Sequence, residues 1–131
     1  MTKARTPVAA KGWTLLLVDD DADIRATLAT FLAGEIGEVS IQTAAYPADA
    51  MRKMESWPID VLLTDQRMPG MTGTQLIAWA QEEHPATQCL LMSSTPDKEL
   101  GEAVARLGIA FFAKPLSTET LGQLVRTLRS G

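Results

Sequence analysis

Cysteine and histidine are almost missing from this chain, which has only Cys89 and His84. A lone cysteine closes no internal disulfide, which argues against an oxidised secreted scaffold. Cys89 lies within CLLM and reads as a small buried apolar residue. His84 precedes Pro85 at an expected helix end and reads as a surface residue. No apolar run approaches the roughly 18 residues of a membrane span. The first 12 residues, MTKARTPVAAKG, are basic but have no apolar centre, so they are no signal peptide and read as a flexible lead-in. A basic excess is lacking too, and the net charge of −4 argues against direct nucleic-acid binding. No repeat or low-complexity tract divides residues 13–131, which read as one domain that is expected in the cytoplasm.

What the chain does have is alternation. Short apolar runs, WTLLLV (13–18), VSIQTA (39–44), VLLTD (61–65), CLLMSS (89–94) and IAFFA (109–113), read as strands. VSIQTA carries Ser40 and Gln42 and reads as an edge. Between the strands, apolar residues recur at helical spacing. Ile24, Leu28, Phe31 and Leu32 form the first stripe, and Ala50, Met51 and Met54 follow Pro47. Residues 73–83 bring Leu76, Ile77 and Ala80 inward, with Trp79 partly covered. Leu100, Ala103, Val104 and Leu107 come next, then Leu121, Leu124, Val125 and Leu128. Met68, Met71 and Met92 read as packing. Five strands strictly alternating with five helices imply an α/β fold, a parallel sheet covered on both faces.

In such sheets ligands sit beyond the carboxyl ends of the strands. The first strand ends in Asp19 and Asp20, the third in Asp65, the fourth in Ser93 and Ser94, and the fifth in Lys114 before Pro115. Three gathered carboxylates either hold protons or bind a cation. Oxygen ligands suit Mg²⁺. A lysine and a hydroxyl beside a metal suit a phosphoryl group. No serine, cysteine or histidine nucleophile has an evident base, so the nucleophile would be a carboxylate. Asp21 reads as a helix cap, as does Thr72. Asp19, Asp21 and Asp23 mimic the start of a calcium loop, but Ile24 and Thr30 stand where Gly and Glu are needed.

LLLVDDD, VLLTDQRMPGMTG, LLMSS and FFAKP, in that order and each at a strand end, resemble the signature segments of the response-regulator receiver domains of two-component signalling. The resemblance runs from about residue 13 to 129 and implies a doubly wound sheet of flavodoxin-like order 2-1-3-4-5 with five helices on two faces. It implies that Asp65 is the phosphoacceptor. Asp20 and Asp65 would ligate Mg²⁺, Asp19 would do so through water, and the Arg67 backbone carbonyl would join them. Ser93 matches the switch hydroxyl and Phe111 the switch aromatic, here without a tyrosine's hydroxyl. Lys114 would pair with the phosphoryl oxygens, and the Lys114–Pro115 bond would be cis. The side chains of Arg67 and Thr95 stand where hydrolytic water would approach, and a long arginine beside a short threonine implies slow loss of phosphate.

The implied partners are a histidine kinase or phosphotransfer protein as donor and a downstream effector protein or domain, with no membrane. No effector segment follows the last helix in this sequence, so output is expected through another chain, unless the sequence is a piece cut from a longer protein. With one histidine, the donor is expected from outside. The resemblance makes the chain a phosphoacceptor rather than an enzyme. The alternative is a Mg²⁺-dependent phosphatase of haloacid-dehalogenase type, whose D-x-D pattern Asp19 and Asp21 satisfy, with Asp19 as nucleophile.

Overall fold

The computed structural model describes residues 12–130. Of the expected lead-in, all but Gly12 lies outside the described residues. Strands and helices alternate: β1 (Trp13–Val18), α1 (Ala22–Ile36), β2 (Val39–Ala44), α2 (Pro47–Ser56), β3 (Val61–Asp65), α3 (Gly73–Glu83), β4 (Gln88–Ser93), α4 (Lys98–Leu107), β5 (Ala110–Ala113) and α5 (Thr118–Ser130). The strands form one parallel sheet in the order β2-β1-β3-β4-β5, so VSIQTA is indeed an edge. β4 lies one residue before its expected span and β5 starts one residue later than expected, and Ser94 lies exposed beyond the end of β4.

Strand alternation sorts the core into two halves. Leu15 and Leu17 of β1, Val61 and Leu63 of β3, Leu90 and Met92 of β4, and Phe112 of β5 pack with Leu28 and Leu32 of α1 and Leu124, Val125 and Leu128 of α5. Leu16, Val18, Leu62, Cys89 and Leu91 face the other way, against Ala50 and Met54 of α2, Leu76, Ile77 and Ala80 of α3, and Leu100 of α4. Phe111 belongs to this second face with Val104, Leu107 and Ile109, and Trp79, Met68 and Met71 pack partly buried around it. The centres of the inner strands are continuously apolar because both faces are covered.

Helix starts follow local chemistry. Asp21 caps α1, accepting from the backbone N–H of Asp23 and Ile24. Thr72 and Gln75 form a capping box at α3. Asp97 caps α4, and Gly108 ends it in the left-handed conformation (φ 65°) that glycine adopts at little cost. α4 is the thinly packed helix: Leu100 is its one buried residue, while Ala103, Val104 and Leu107 are half-buried. A void of about 90 Å³ lies between its first turns and Phe111.

The expectation for His84 needs correction. Its ring meets Trp79 edge-on at 5.2 Å, and Nε2 is buried 3.4 Å from Glu55 Oε2. The ends of α2 and α3 close around it, which spacing along the chain does not reveal.

Candidate acidic site at the strand ends

Parallel strands bring their carboxyl ends to one edge, and the candidate residues meet there. Asp19 is wholly buried and held on every side. Its N–H donates to the Ala44 carbonyl (3.1 Å), and its carbonyl accepts from Arg25 Nη1 (2.7 Å). Oδ1 accepts from the Asp21 N–H (2.9 Å) and Oδ2 from Lys114 Nζ (2.7 Å). Asp20, next along, is exposed, and Asp21 turns away to cap α1. The three crowded aspartates therefore do three different jobs: one is a buried anchor, one opens to solvent, and one starts a helix.

Asp65 ends β3 with 7% of its surface exposed, and its Oδ1 lies 3.2 Å from Lys114 Nζ. Burial pushes its pKa above the ordinary carboxylate value, and the Asp19 charge adds to this; Lys114 only partly offsets them. For Lys114, burial works against the charged form. The hydrogen bond to Asp19 and the charges of Asp65 and Asp19 outweigh it, so the ammonium is held more firmly than usual. Lys114 reaches the site because its N–H donates to the Ser93 carbonyl (2.9 Å), and the Lys114–Pro115 bond is cis as expected.

Ligand oxygens of Asp19, Asp20 and Asp65 lie within 4.8 Å of one another, the one such group among the described residues. Two of the three carboxylates are buried and one is open, so negative charge concentrates beside a solvent path. This all-oxygen set suits a hard cation such as Mg²⁺, which keeps several waters. The donor set thus fits the expected metal.

Ser93, at the end of β4, is 1% exposed, and its Oγ accepts from the Thr95 N–H (3.2 Å). Phe111 is half-buried on the α4 face, one strand away. Arg67 is exposed, and its Nε donates to Thr95 Oγ1 (2.8 Å), which joins the β3–α3 loop to the β4–α4 loop. The same two residues line a groove of about 590 Å³ between α3 and α4.

Three features escaped the sequence reading. The Asp19–Lys114 pair spans 95 positions. The Arg67–Thr95 bond joins two residues that sequence reasoning named separately. Gln66 binds α3 through its side chain, and a polar residue between a strand and a loop carries no periodic signal.

Comparison with known proteins agrees with this arrangement. The sequence matches the family described as "Response regulator receiver domain" over residues 15–126. The chain belongs to that family. Among curated relatives, this receiver domain is 31% identical over 110 residues to the DNA-binding transcriptional regulator NtrC of Escherichia coli, covering 83% of this chain and 23% of the relative. It is 30% identical over 115 residues to the response regulator protein PilR of Pseudomonas aeruginosa, covering 86% and 25%. The chain thus spans about a quarter of the length of these relatives. The crystal structure of a signal receiver domain of an HD domain-containing protein from Pseudomonas fluorescens superposes with a TM-score of 0.81, at 23% identity, over 90% of this chain and 94% of the other. That likeness shows the fold.

The haloacid-dehalogenase alternative finds no support. The family match lies elsewhere, and Asp21, the second residue of its D-x-D pair, is an exposed helix cap. Among the described residues, no helix is long and apolar enough to cross a membrane.

Proposed function

We propose that residues 13–131 form a phosphoacceptor unit that takes a phosphoryl group from a histidine kinase or phosphotransfer protein onto Asp65. The observation that carries this reading is the pairing of Lys114 Nζ with both Asp19 (2.7 Å) and Asp65 (3.2 Å) inside the three-carboxylate group. A carboxylate nucleophile needs a cation to hold the incoming phosphoryl oxygens, and Lys114 already stands there. The P–N bond of the donor breaks as a P–O bond forms on Asp65, and the leaving imidazole takes up a proton. Mg²⁺, held by Asp20 and Asp65, with Asp19 through water and the Arg67 carbonyl, would neutralise charge on the transferring group.

An apolar groove of about 300 Å³ beside Lys114, lined by Ile24, Leu28, Phe31, Pro115, Leu116 and Leu121, gives the donor a place to dock. The chain acts as acceptor and switch rather than as an enzyme on other substrates, and its setting is the cytoplasm.

The phosphoryl group would draw the Ser93 hydroxyl inward, exchanging its bond to the Thr95 N–H for one to a phosphoryl oxygen. Phe111 would then fill space next to the void under α4. The α4–β5–α5 surface changes shape as the population shifts between two packings, and a downstream effector protein or domain reads the change. Arg67, already tied to Thr95, would shield the phosphoryl group from water and slow its loss. The test is beryllofluoride with Mg²⁺, read by amide exchange. Protection changes at residues 93–95 and 97–128 support the proposal, and an unaltered wild-type profile contradicts it.

A further inference from the structure

The base of the β3–α3 loop is closed by one residue. An α-helix leaves its first four N–H groups without partners inside the helix. In α3 all four are satisfied. The Gly73 N–H donates to the Gln66 carbonyl (2.9 Å) and the Thr74 N–H to Gln66 Oε1 (2.8 Å). The Gln75 N–H donates to Thr72 Oγ1 (3.2 Å) and the Thr72 N–H to Gln75 Oε1 (2.9 Å). The capping box therefore accounts for two, and Gln66 alone for the other two.

Gln66 makes two further bonds. Its Nε2 donates to Thr74 Oγ1 (3.2 Å), and its N–H donates to the Met92 carbonyl on β4 (2.9 Å). The backbone approach is as close as it can be. A Cβ on Gly73 would stand 2.3 Å from the Asp65 carbonyl oxygen and 2.8 Å from Leu91 Cδ1. The start of α3 is thus pressed onto the peptide that follows Asp65, and the loop from Arg67 to Thr72 is pinched shut at its base.

We propose that Gln66 is a positioning residue: its amide, closed onto Thr74, holds the loop so that the Arg67 carbonyl is presented to the carboxylate group. This rests on the reading of that group as a Mg²⁺-dependent phosphoacceptor site. The physical reason is that Mg²⁺ demands near-ideal octahedral geometry, so a ligand on a swinging loop binds it poorly. A backbone carbonyl has no rotamer to adjust, and its aim depends on whatever fixes the loop. The bonds of Gln66 differ from the Arg67–Thr95 bond in this respect. Gln66 ties the loop to α3 and β4, which are packed, while Arg67 ties it to residues that are exposed.

The test uses the full chain without phosphodonor, with two readouts. One is exchange of the Thr74 amide in metal-free protein, and the other is Mg²⁺ affinity by calorimetry. Gln66→Leu removes both side-chain bonds at similar size. The Thr74 amide should exchange about tenfold faster, the loss expected when a half-buried bond to a helix start is broken. Mg²⁺ should bind about tenfold more weakly, as is usual when a group supporting a metal ligand is removed.

Gln66→Glu keeps the acceptor for the Thr74 N–H and lets the Thr74 hydroxyl donate instead, so both readouts should return to wild type or better. Thr74→Val, a milder change, should weaken Mg²⁺ binding less than Gln66→Leu. If Gln66→Leu frees the Thr74 amide but binds Mg²⁺ as wild type does, the clasp is structural only and the proposal falls while the acidic site stands. If Gln66→Leu leaves the Thr74 amide protected, the clasp does not hold the loop and the proposal is again overturned. If wild type shows no Mg²⁺ binding that Asp20→Ala abolishes, the phosphoacceptor reading itself fails and takes the proposal with it.

Discussion

Two neighbouring strand ends frame the site, and they are built differently. At the end of β3, Asp65 is buried, Gln66 makes four hydrogen bonds, and the start of α3 is pressed against the backbone. At the end of β4 the chain comes free. Residues 94–99 are all exposed. The loop is tied by the Thr95 N–H to Ser93 Oγ, by Arg67 to Thr95 Oγ1, and by the Asp97 cap of α4. α4 itself buries one residue and leaves a void against Phe111.

Local stability follows buried contacts and satisfied bonds, so one fold can hold a stiff wall and a soft one side by side. The proposed chemistry needs groups fixed in place: the three carboxylates end β1 and β3, and Lys114, after β5, is tied to the two buried ones. The proposed signal needs a part able to adopt two packings, and the thinly packed β4 and α4 side offers the room for one.

The largest effect should come from the stiff wall. Asp20→Ala removes the open carboxylate, and phosphoryl uptake from acetyl phosphate should fall about a hundredfold or more, the scale on which charge-stabilising groups act. The fold should stay intact or gain stability as carboxylate repulsion is relieved. Uptake within a few-fold of wild type would mean that Asp20 holds no metal.

Next comes Ser93→Ala on the soft wall. Uptake should slow only about fivefold, the value of one hydrogen bond. The exchange changes at residues 97–128 on activation should nevertheless be lost. Were uptake abolished instead, Ser93 would belong with the chemistry and the division between the walls would be wrong.

A smaller effect is expected where the walls are joined. Arg67→Asn removes the bond to Thr95 and any cover over the phosphoryl group. Phosphate loss should then speed up roughly fivefold, again the scale of one hydrogen bond. Loss no faster than wild type would show that the Arg67 side chain does not shield the site.

The mildest test concerns stability. A carboxyl whose native pKa is raised binds its proton more tightly folded than unfolded. Its ionisation therefore lowers stability as pH rises from the ordinary carboxylate value through the raised native one. Burial first, and then Asp19, raise the pKa of Asp65. Metal-free Asp65→Asn should melt above wild type at neutral pH. The gain should shrink through that window and vanish in acid below it, as followed by circular dichroism. A variant that melts lower at neutral pH would mean that Asp65 is net stabilised in its charged form by Lys114.

The same contrast explains what could be read from the chain. Apolar periodicity and cap chemistry made the layers, the edge strand and the start of α3 legible, because burial on one face repeats along the sequence. Asp19, Asp20, Asp65, Ser93 and Lys114 could be placed together because parallel strands send their ends to one edge. The pairings between side chains around the site were not legible. Lys114 finds Asp19 across 95 positions, and Gln66 finds Thr74 across a tight loop. Such pairings depend on register and loop path, which periodicity does not encode. His84 was misplaced for the same reason, since two helix ends meet over it.

The most direct measurement is site mapping of the phosphoryl group after incubation with acetyl phosphate and Mg²⁺. The account predicts a mass gain of one phosphoryl group, labile in base, on the peptide that contains Asp65 and absent in Asp65→Asn. A stable label on Asp19, or an undiminished label in Asp65→Asn, would contradict it.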